Sequence, residues 1–111
     1  MKKILIDLDG VLNEYGNSGY NANYIPKPKR GVNKFLRNLS NKAELYLFTS
    51  RDKSLATKWL HENKLKKYFK AVTNMKIPAS MYIDDRAICF EGDFDILLNQ
   101  IENFQVYWKR L

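Results

Sequence analysis

Ile4-Leu5-Ile6-Asp7-Leu8-Asp9-Gly10 decides how this chain is read. The unbroken apolar run predicts a strand over residues 3–8, apolar on both faces, as at the centre of a parallel sheet. Two carboxylates stand two residues apart where that strand should stop. Acids at the end of a buried strand suit a nucleophile, a general acid/base and a divalent cation.

Two more apolar runs end the same way. Leu45-Tyr46-Leu47-Phe48 leads into Thr49-Ser50-Arg51, and Met81-Tyr82-Ile83 leads into Asp84-Asp85-Arg86. Strands are expected at 44–48 and 80–83, with a short one near 71–73. The periodicity predicts helices between them. Val32, Phe35, Leu36 and Leu39 recur at helical spacing from Gly31 to Leu39. Asp52 is a plausible N-cap for a helix reaching about Asn63, with Leu55, Ala56, Trp59 and Leu60 on one face. Residues 10–29, rich in Gly, Pro and Asn, read as a loop or flap with room for a short hairpin. A fifth strand is expected at Ala87–Phe90. Asp93 is expected to cap a last helix whose core face is Phe94, Leu97, Leu98 and Ile101. The tail Val106-Tyr107-Trp108 reads as a terminal strand or as packing on the sheet. Trp59, Trp108 and His61 receive no chemical role.

Strands alternating with helices imply right-handed crossovers. The fold expected is α/β: a single doubly wound, Rossmann-like parallel sheet with helices on both faces. Ligands of such sheets bind beyond the carboxyl ends of the strands, at the switch point. Asp7, Asp9, Thr49 and Asp84 all fall at those ends.

The bulk properties set bounds. The 111 residues fit one domain, 1–111, and a hydrophobic fraction of 45% fits a globular one. The single cysteine, Cys89, excludes an internal disulfide and fits a reducing compartment. Asp7 and Asp9 interrupt what would otherwise be a secretory apolar region, and no run approaches membrane-spanning length. A cytoplasmic protein without membrane contact is expected. The net charge of +7 serves solubility or an anionic partner. Basic residues gather at Lys27, Lys29 and Arg30, at Lys64, Lys66 and Lys67, and at Lys109 and Arg110. Nucleic acid is compatible with this charge but not implied by it.

Clustered carboxylates repel one another, and a bound cation relieves the repulsion. Oxygen-only donors suit Mg²⁺, whereas His61 and Cys89 are isolated and offer no zinc site. Thr49 or Ser50 can donate to a phosphoryl oxygen, and Lys76 can neutralise charge nearby. Arg51 and Arg86 stand ready for a second anionic group or for a salt bridge to a neighbouring carboxylate. Tyr15, Tyr20 and Tyr24 are candidates to line the entrance.

With these residues assembled, the sequence resembles the haloacid dehalogenase superfamily of aspartate-nucleophile phosphatases. The resemblance rests on four motifs in the family's order: Asp7-Leu8-Asp9-Gly10-Val11-Leu12 after a strand, Leu45-Tyr46-Leu47-Phe48-Thr49, a lysine at Lys76, and Tyr82-Ile83-Asp84-Asp85. They reach from residue 4 to residue 86. Lys76 lies eight residues before Asp84, and Val11 stands where many members have Thr. The resemblance implies a phosphomonoester hydrolase in which Asp7 is the nucleophile and forms an aspartyl-phosphate. It makes Asp9 the acid and then the base, Thr49 a phosphoryl ligand and Lys76 the cation at Asp7. Asp7, Asp9 (through its carbonyl), Asp84 and Asp85 would then hold Mg²⁺.

Members of the family often carry a cap domain. Here the stretch from Gly10 to Gly31 and the stretch from Arg51 to Lys76 are too short to hold one, so the resemblance points to the capless branch with an open site. The substrate expected is a phosphorylated small molecule or a phosphorylated macromolecule. Two other readings stay open: a non-catalytic phosphate-binding or receiver-like module, and a nucleic-acid-end phosphatase. The oligomeric state stays open too, with no apolar helix face clearly left over for a dimer.

Overall fold

The computed structural model describes residues 1–16 and 19–109, so the expected basic residue Arg110 lies outside the described residues. Strand β1 (Lys2–Asp7) lies between two parallel neighbours, β2 (Ala43–Phe48) and β4 (Met81–Ile83), and β3 (Phe69–Thr73) extends the sheet beyond β2. The order is β3-β2-β1-β4, all parallel. The register sets Ile6 beside Leu47 and Ile83, and Asp7 beside Phe48. Helices α1 (Val32–Ser40) and α2 (Lys53–Glu62) pack on one face of this sheet and α3 (Phe94–Asn103) follows β4, giving the expected Rossmann-like α/β fold.

Alternation along the strands sorts their side chains. Ile4 and Ile6 of β1, Leu45 and Leu47 of β2, and Phe69 and Val72 of β3 point to one face. There they pack on Val32 and Leu36 of α1 and on Ala56, Trp59 and Leu60 of α2. Each of the larger side chains contributes about 1.5–3 kcal/mol by leaving water. Asp52 starts α2 as expected, its carboxylate accepting from the Leu55 N–H at 3.0 Å. The loop after β1 is anchored rather than loose. Leu12 and Ile25 are buried in the same core, an antiparallel bridge joins Asn13 to Pro28, and the Trp59 indole donates to the Pro26 carbonyl at 3.0 Å.

The C-terminal third departs from expectation. Ala87–Phe90 forms no strand. The Asp84 carboxylate accepts from the Arg86 N–H at 2.8 Å, a local turn that leads the chain off the sheet edge. Asp93 caps α3 as expected, accepting from the Asp95 and Ile96 N–H groups, yet no residue of α3 is buried. Of the expected core face only Leu97 is half-buried; Phe94, Leu98 and Ile101 are exposed surface, and an apolar helix stripe is left over after all. Residues Tyr107–Lys109 form one 3₁₀ turn instead of a strand, because their side chains find partners at the crevice described below. Among the described residues, no helix is long and apolar enough to cross a membrane.

Candidate functional site

The chain runs outward from β1 to β2 and β3, then returns to lay β4 on the other side of β1. The strand order thus reverses at β1 and β4, and the carboxyl ends of these two strands open the crevice where such sheets bind ligands. Asp7 ends β1, Asp84 and Asp85 follow β4, and Thr49 follows β2. With Asp9, Tyr15, Tyr20, Ser50 and Arg86 they line a cavity of about 330 Å³.

Carboxylate oxygens of Asp7, Asp84 and Asp85 all lie within 4.8 Å of one another. Burial, first, and then the neighbouring charges of Asp84 and Asp85 push the Asp7 carboxyl up to about 8. A hydrogen bond with Asp85 adds to the rise, and the Leu8 N–H opposes it. The Oδ1 atom of Asp85 is buried with no hydrogen-bond partner. Three hard oxygen donors, mutually repelling and one of them orphaned, fit a hard divalent cation well. Asp9 stands apart from this set by its side chain. Arg51, buried with 1% of its side chain exposed, donates from Nε to Asp9 Oδ2 at 2.7 Å and from Nη2 to Asp9 Oδ1 at 3.1 Å. Asn13 Nδ2 donates to Asp9 Oδ1 at 2.9 Å, so both oxygens are held.

Arg51 also ties the flap to the sheet. Its Nη1 donates to the Asn21 carbonyl at 2.8 Å, and its guanidinium lies 4.6 Å from the centre of the Tyr20 ring. The planar fork can serve the carboxylate, the carbonyl and the ring together, which an ammonium cannot. Thr49 is buried, and its hydroxyl oxygen accepts from the Arg51 N–H at 3.1 Å, which leaves the hydroxyl proton for another acceptor.

Lys76 does not line this cavity. It borders an adjoining groove with Leu5, Phe48 and Tyr82, its ammonium 4.7 Å from the centre of the Tyr82 ring, and Asp84 is shared by the two spaces. The cation that does line the site is Arg86. Of the three candidate tyrosines, Tyr15 and Tyr20 line the cavity and Tyr24 is exposed.

Two parts of the site were missed in the sequence. Asn13 is fully buried. Its Oδ1 accepts from the Gly10 N–H at 3.0 Å, closing the turn that presents Asp9. An Asn just after Asp-x-Asp-Gly is the available signal for such a turn. Trp108 is neither core nor idle surface: its indole N–H donates to Asp85 Oδ2 at 2.7 Å, and Tyr15 meets it edge-on at 5.3 Å. The Tyr107 hydroxyl donates to the Gly10 carbonyl. Gly10 has φ of 85°, and a Cβ there would collide with the Asp85 carboxylate and lie 3.0 Å from the indole nitrogen. A glycine is needed for both reasons. No local pattern announces contacts that cross 97 residues, as that between Tyr107 and Gly10 does.

No protein-family model matches the chain, and no curated protein matches it significantly. Among solved structures, a conserved protein from Bacteroides thetaiotaomicron superposes with a TM-score of 0.60 at 21% identity, over 91% of this chain and 89% of that one. At that identity the likeness concerns the fold.

Proposed function

We propose that this chain is a divalent-metal-dependent phosphomonoester hydrolase of the haloacid dehalogenase type, with Asp7 as nucleophile. The observation that carries the reading is the convergence of Asp7, Asp84 and Asp85 within 4.8 Å at the strand-order switch point, with Thr49 and Asp9 beside them.

Asp7, Asp84 and Asp85 would hold the cation, Mg²⁺ by its preference for oxygen. When bound, it supplies positive charge that keeps Asp7 ionised and offsets the repulsion between an anionic phosphate and an anionic nucleophile. Asp7 attacks phosphorus, the bond to the leaving oxygen breaks, and Asp9 gives that oxygen its proton. Asp9 then takes a proton from water, whose oxygen displaces Asp7 from phosphorus. Thr49 donates its free hydroxyl proton to a phosphoryl oxygen, and Arg86 offers charge from the cavity wall. For the acid step Asp9 must loosen from Arg51 and take up a proton from solvent, a movement that links the flap around Tyr20 and Asn21 to turnover. The cavity is open at the sheet's edge, so phosphorylated small molecules and phosphorylated macromolecules both fit the reading.

The test is hydrolysis of p-nitrophenyl phosphate with Mg²⁺, with chelator, and by Asp7→Asn. Turnover should require the metal and fall by at least on the order of a thousandfold in the variant. Activity that survives the substitution sinks the mechanism. One observation favours a second reading, a phosphate-accepting regulatory module: both oxygens of Asp9 are already occupied. That reading requires a long-lived aspartyl-phosphate and no turnover.

A further inference from the structure

The apolar stripe of α3 and the groove on the second face of the sheet belong to the same chain, and the chain covers neither fully: Leu5 is buried there and Phe94 packs on Phe90, but Met81 and Tyr82 stay 43% and 40% exposed. Phe94, Leu98 and Ile101 form one stripe of α3 at helical spacing, and they are 74%, 61% and 54% exposed. On the sheet, Leu5 forms the floor of a groove of about 620 Å³ walled by Phe48, Met81, Tyr82, Ile88 and Cys89. The core formed by α1 and α2 lies on the opposite side of β1, since Ile4 and Ile6 point there and Leu5 does not. In a doubly wound sheet a helix covers this second face. The helix that follows β4 is the one available, yet no residue of it is buried.

Size makes the mismatch quantitative. The chain exposes 7711 Å², whereas a compact monomer of 13.1 kDa should expose roughly 6,400 Å². Its radius of gyration is 14.9 Å, against about 13 Å for a compact domain of this length. The excess of about 1,300 Å² per chain, taken twice, falls in the range that permanent homodimers bury. Charge selects the same occupant. The stretch 91–103 carries Glu91, Asp93, Asp95 and Glu102 and no Lys or Arg, in a chain whose net charge is +7. An acidic helix is therefore drawn to the positive remainder of another copy of this chain, while the groove itself carries both signs, Lys76 with Asp84 on its wall and Lys3 beside Glu44 on the same sheet face.

We propose that two copies of this chain exchange α3, each helix seating its Phe94–Leu98–Ile101 stripe in the sheet groove of the other. The arrangement is isologous, so the same two surfaces are used twice and the assembly closes as a dimer. Residues 84–93, which lie between β4 and α3 without helix or strand, provide the connection across which the exchange runs. Because Asp84 borders both the groove and the catalytic cavity, the incoming helix lies at the wall of the site.

Sedimentation equilibrium of the full chain at micromolar concentration should give twice 13.1 kDa. Leu98→Glu on the helix and Met81→Glu in the groove should each restore the single-chain mass with the circular dichroism of the fold unchanged. A bismaleimide should join the thiol introduced by Leu98→Cys to native Cys89 between chains, giving a covalent dimer that Cys89→Ser abolishes. A monomer at high micromolar concentration overturns the proposal. So does a dimer indifferent to both charge substitutions, or a cross-link formed within one chain, which would mean that α3 covers its own sheet. A monomer that hydrolyses phosphate esters removes this proposal and leaves the phosphatase reading standing; a dimer without turnover does the reverse.

Discussion

Between residues 2 and 73 the chain is held by apolar burial, whereas between 81 and 109 it is held by polar bonds aimed at one crevice. Every buried apolar side chain among the described residues lies in the first region except Val106. The second region keeps its place through the short pairing of β4 with β1, the Tyr107 bond to Gly10 and the edge contact of Trp108 with Tyr15, while the Trp108 bond to Asp85 ties its own tail to its own carboxylate. The first region is a scaffold that supplies Asp7, Asp9, Thr49 and Arg51. The second brings Asp84, Asp85 and Arg86, and its attachment is the site itself. The free energy that docks the C-terminal third is thus tied to the atoms that would bind the metal.

The largest effect that could break this contrast is a cavity in the scaffold. Leu47 is fully buried, and Leu47→Ala should cost about 3 kcal/mol in urea unfolding at any protein concentration. Leu98→Ala on α3 removes the same atoms from an exposed position. Its cost should be under about 0.5 kcal/mol at dilution and should grow only as the concentration rises, as mass action requires for a residue used between chains. Equal, concentration-independent costs at the two positions would erase the distinction.

Next in size is the clamp. Trp108→Phe keeps the ring beside Tyr15 and removes the N–H that Asp85 accepts. Outer contacts of this kind commonly change metal affinity by about 10–100-fold. Calorimetric titration with Mg²⁺ should show a loss in that range. Hydrogen exchange should show faster opening of 94–109, with the amides of β1 and β2 unchanged. An unaltered affinity would mean that Asp85 is held by the sheet alone.

The two regions also differ in how far they were legible. In the scaffold the signals are local: runs of Ile and Leu for β1 and β2, helical spacing of Val32 and Leu36, and a capping Asp52. These signals give the α/β order and put Asp7, Thr49 and Asp84 at strand ends. Beyond Ile83 the same rules mislead. The apolar stripe of α3 has the periodicity of a core face, but periodicity says only that a face will be buried, not in which molecule. The run Ala87–Phe90 reads as a strand until the turn held by Asp84 takes it off the sheet. Lys76 lies in the right order for a cation at Asp7, yet a flexible side chain is placed by its surroundings, and here Tyr82 takes it. Trp108 was invisible because its partner is 23 residues away and polar.

The smallest effect expected, and the one that separates the regions most directly, is the pH dependence of stability without metal. The Asp7 carboxyl is raised from 3.8 to about 8, chiefly by burial and then by Asp84 and Asp85. Between those values the folded chain keeps a proton that the unfolded chain has released, so the folded state binds more protons and stability falls as pH rises. The contribution is complete below the unfolded value, erodes across the window and is gone above about 8. Asp7→Asn needs no proton and should flatten this slope. After allowance for solvent at a half-exposed group, the variant should be more stable than the parent near pH 8 by about 1 kcal/mol, and no more stable near pH 4. Saturating Mg²⁺ should reverse the order at pH 8, because the cation stabilises the parent's carboxylates and the variant has one fewer. Thermal melts of both proteins at pH 4, 6 and 8, with and without Mg²⁺, read all of this. A parent whose melting temperature is flat across the window would show that Asp7 is ionised without the metal, and that the carboxylates which join the two regions do not strain the fold.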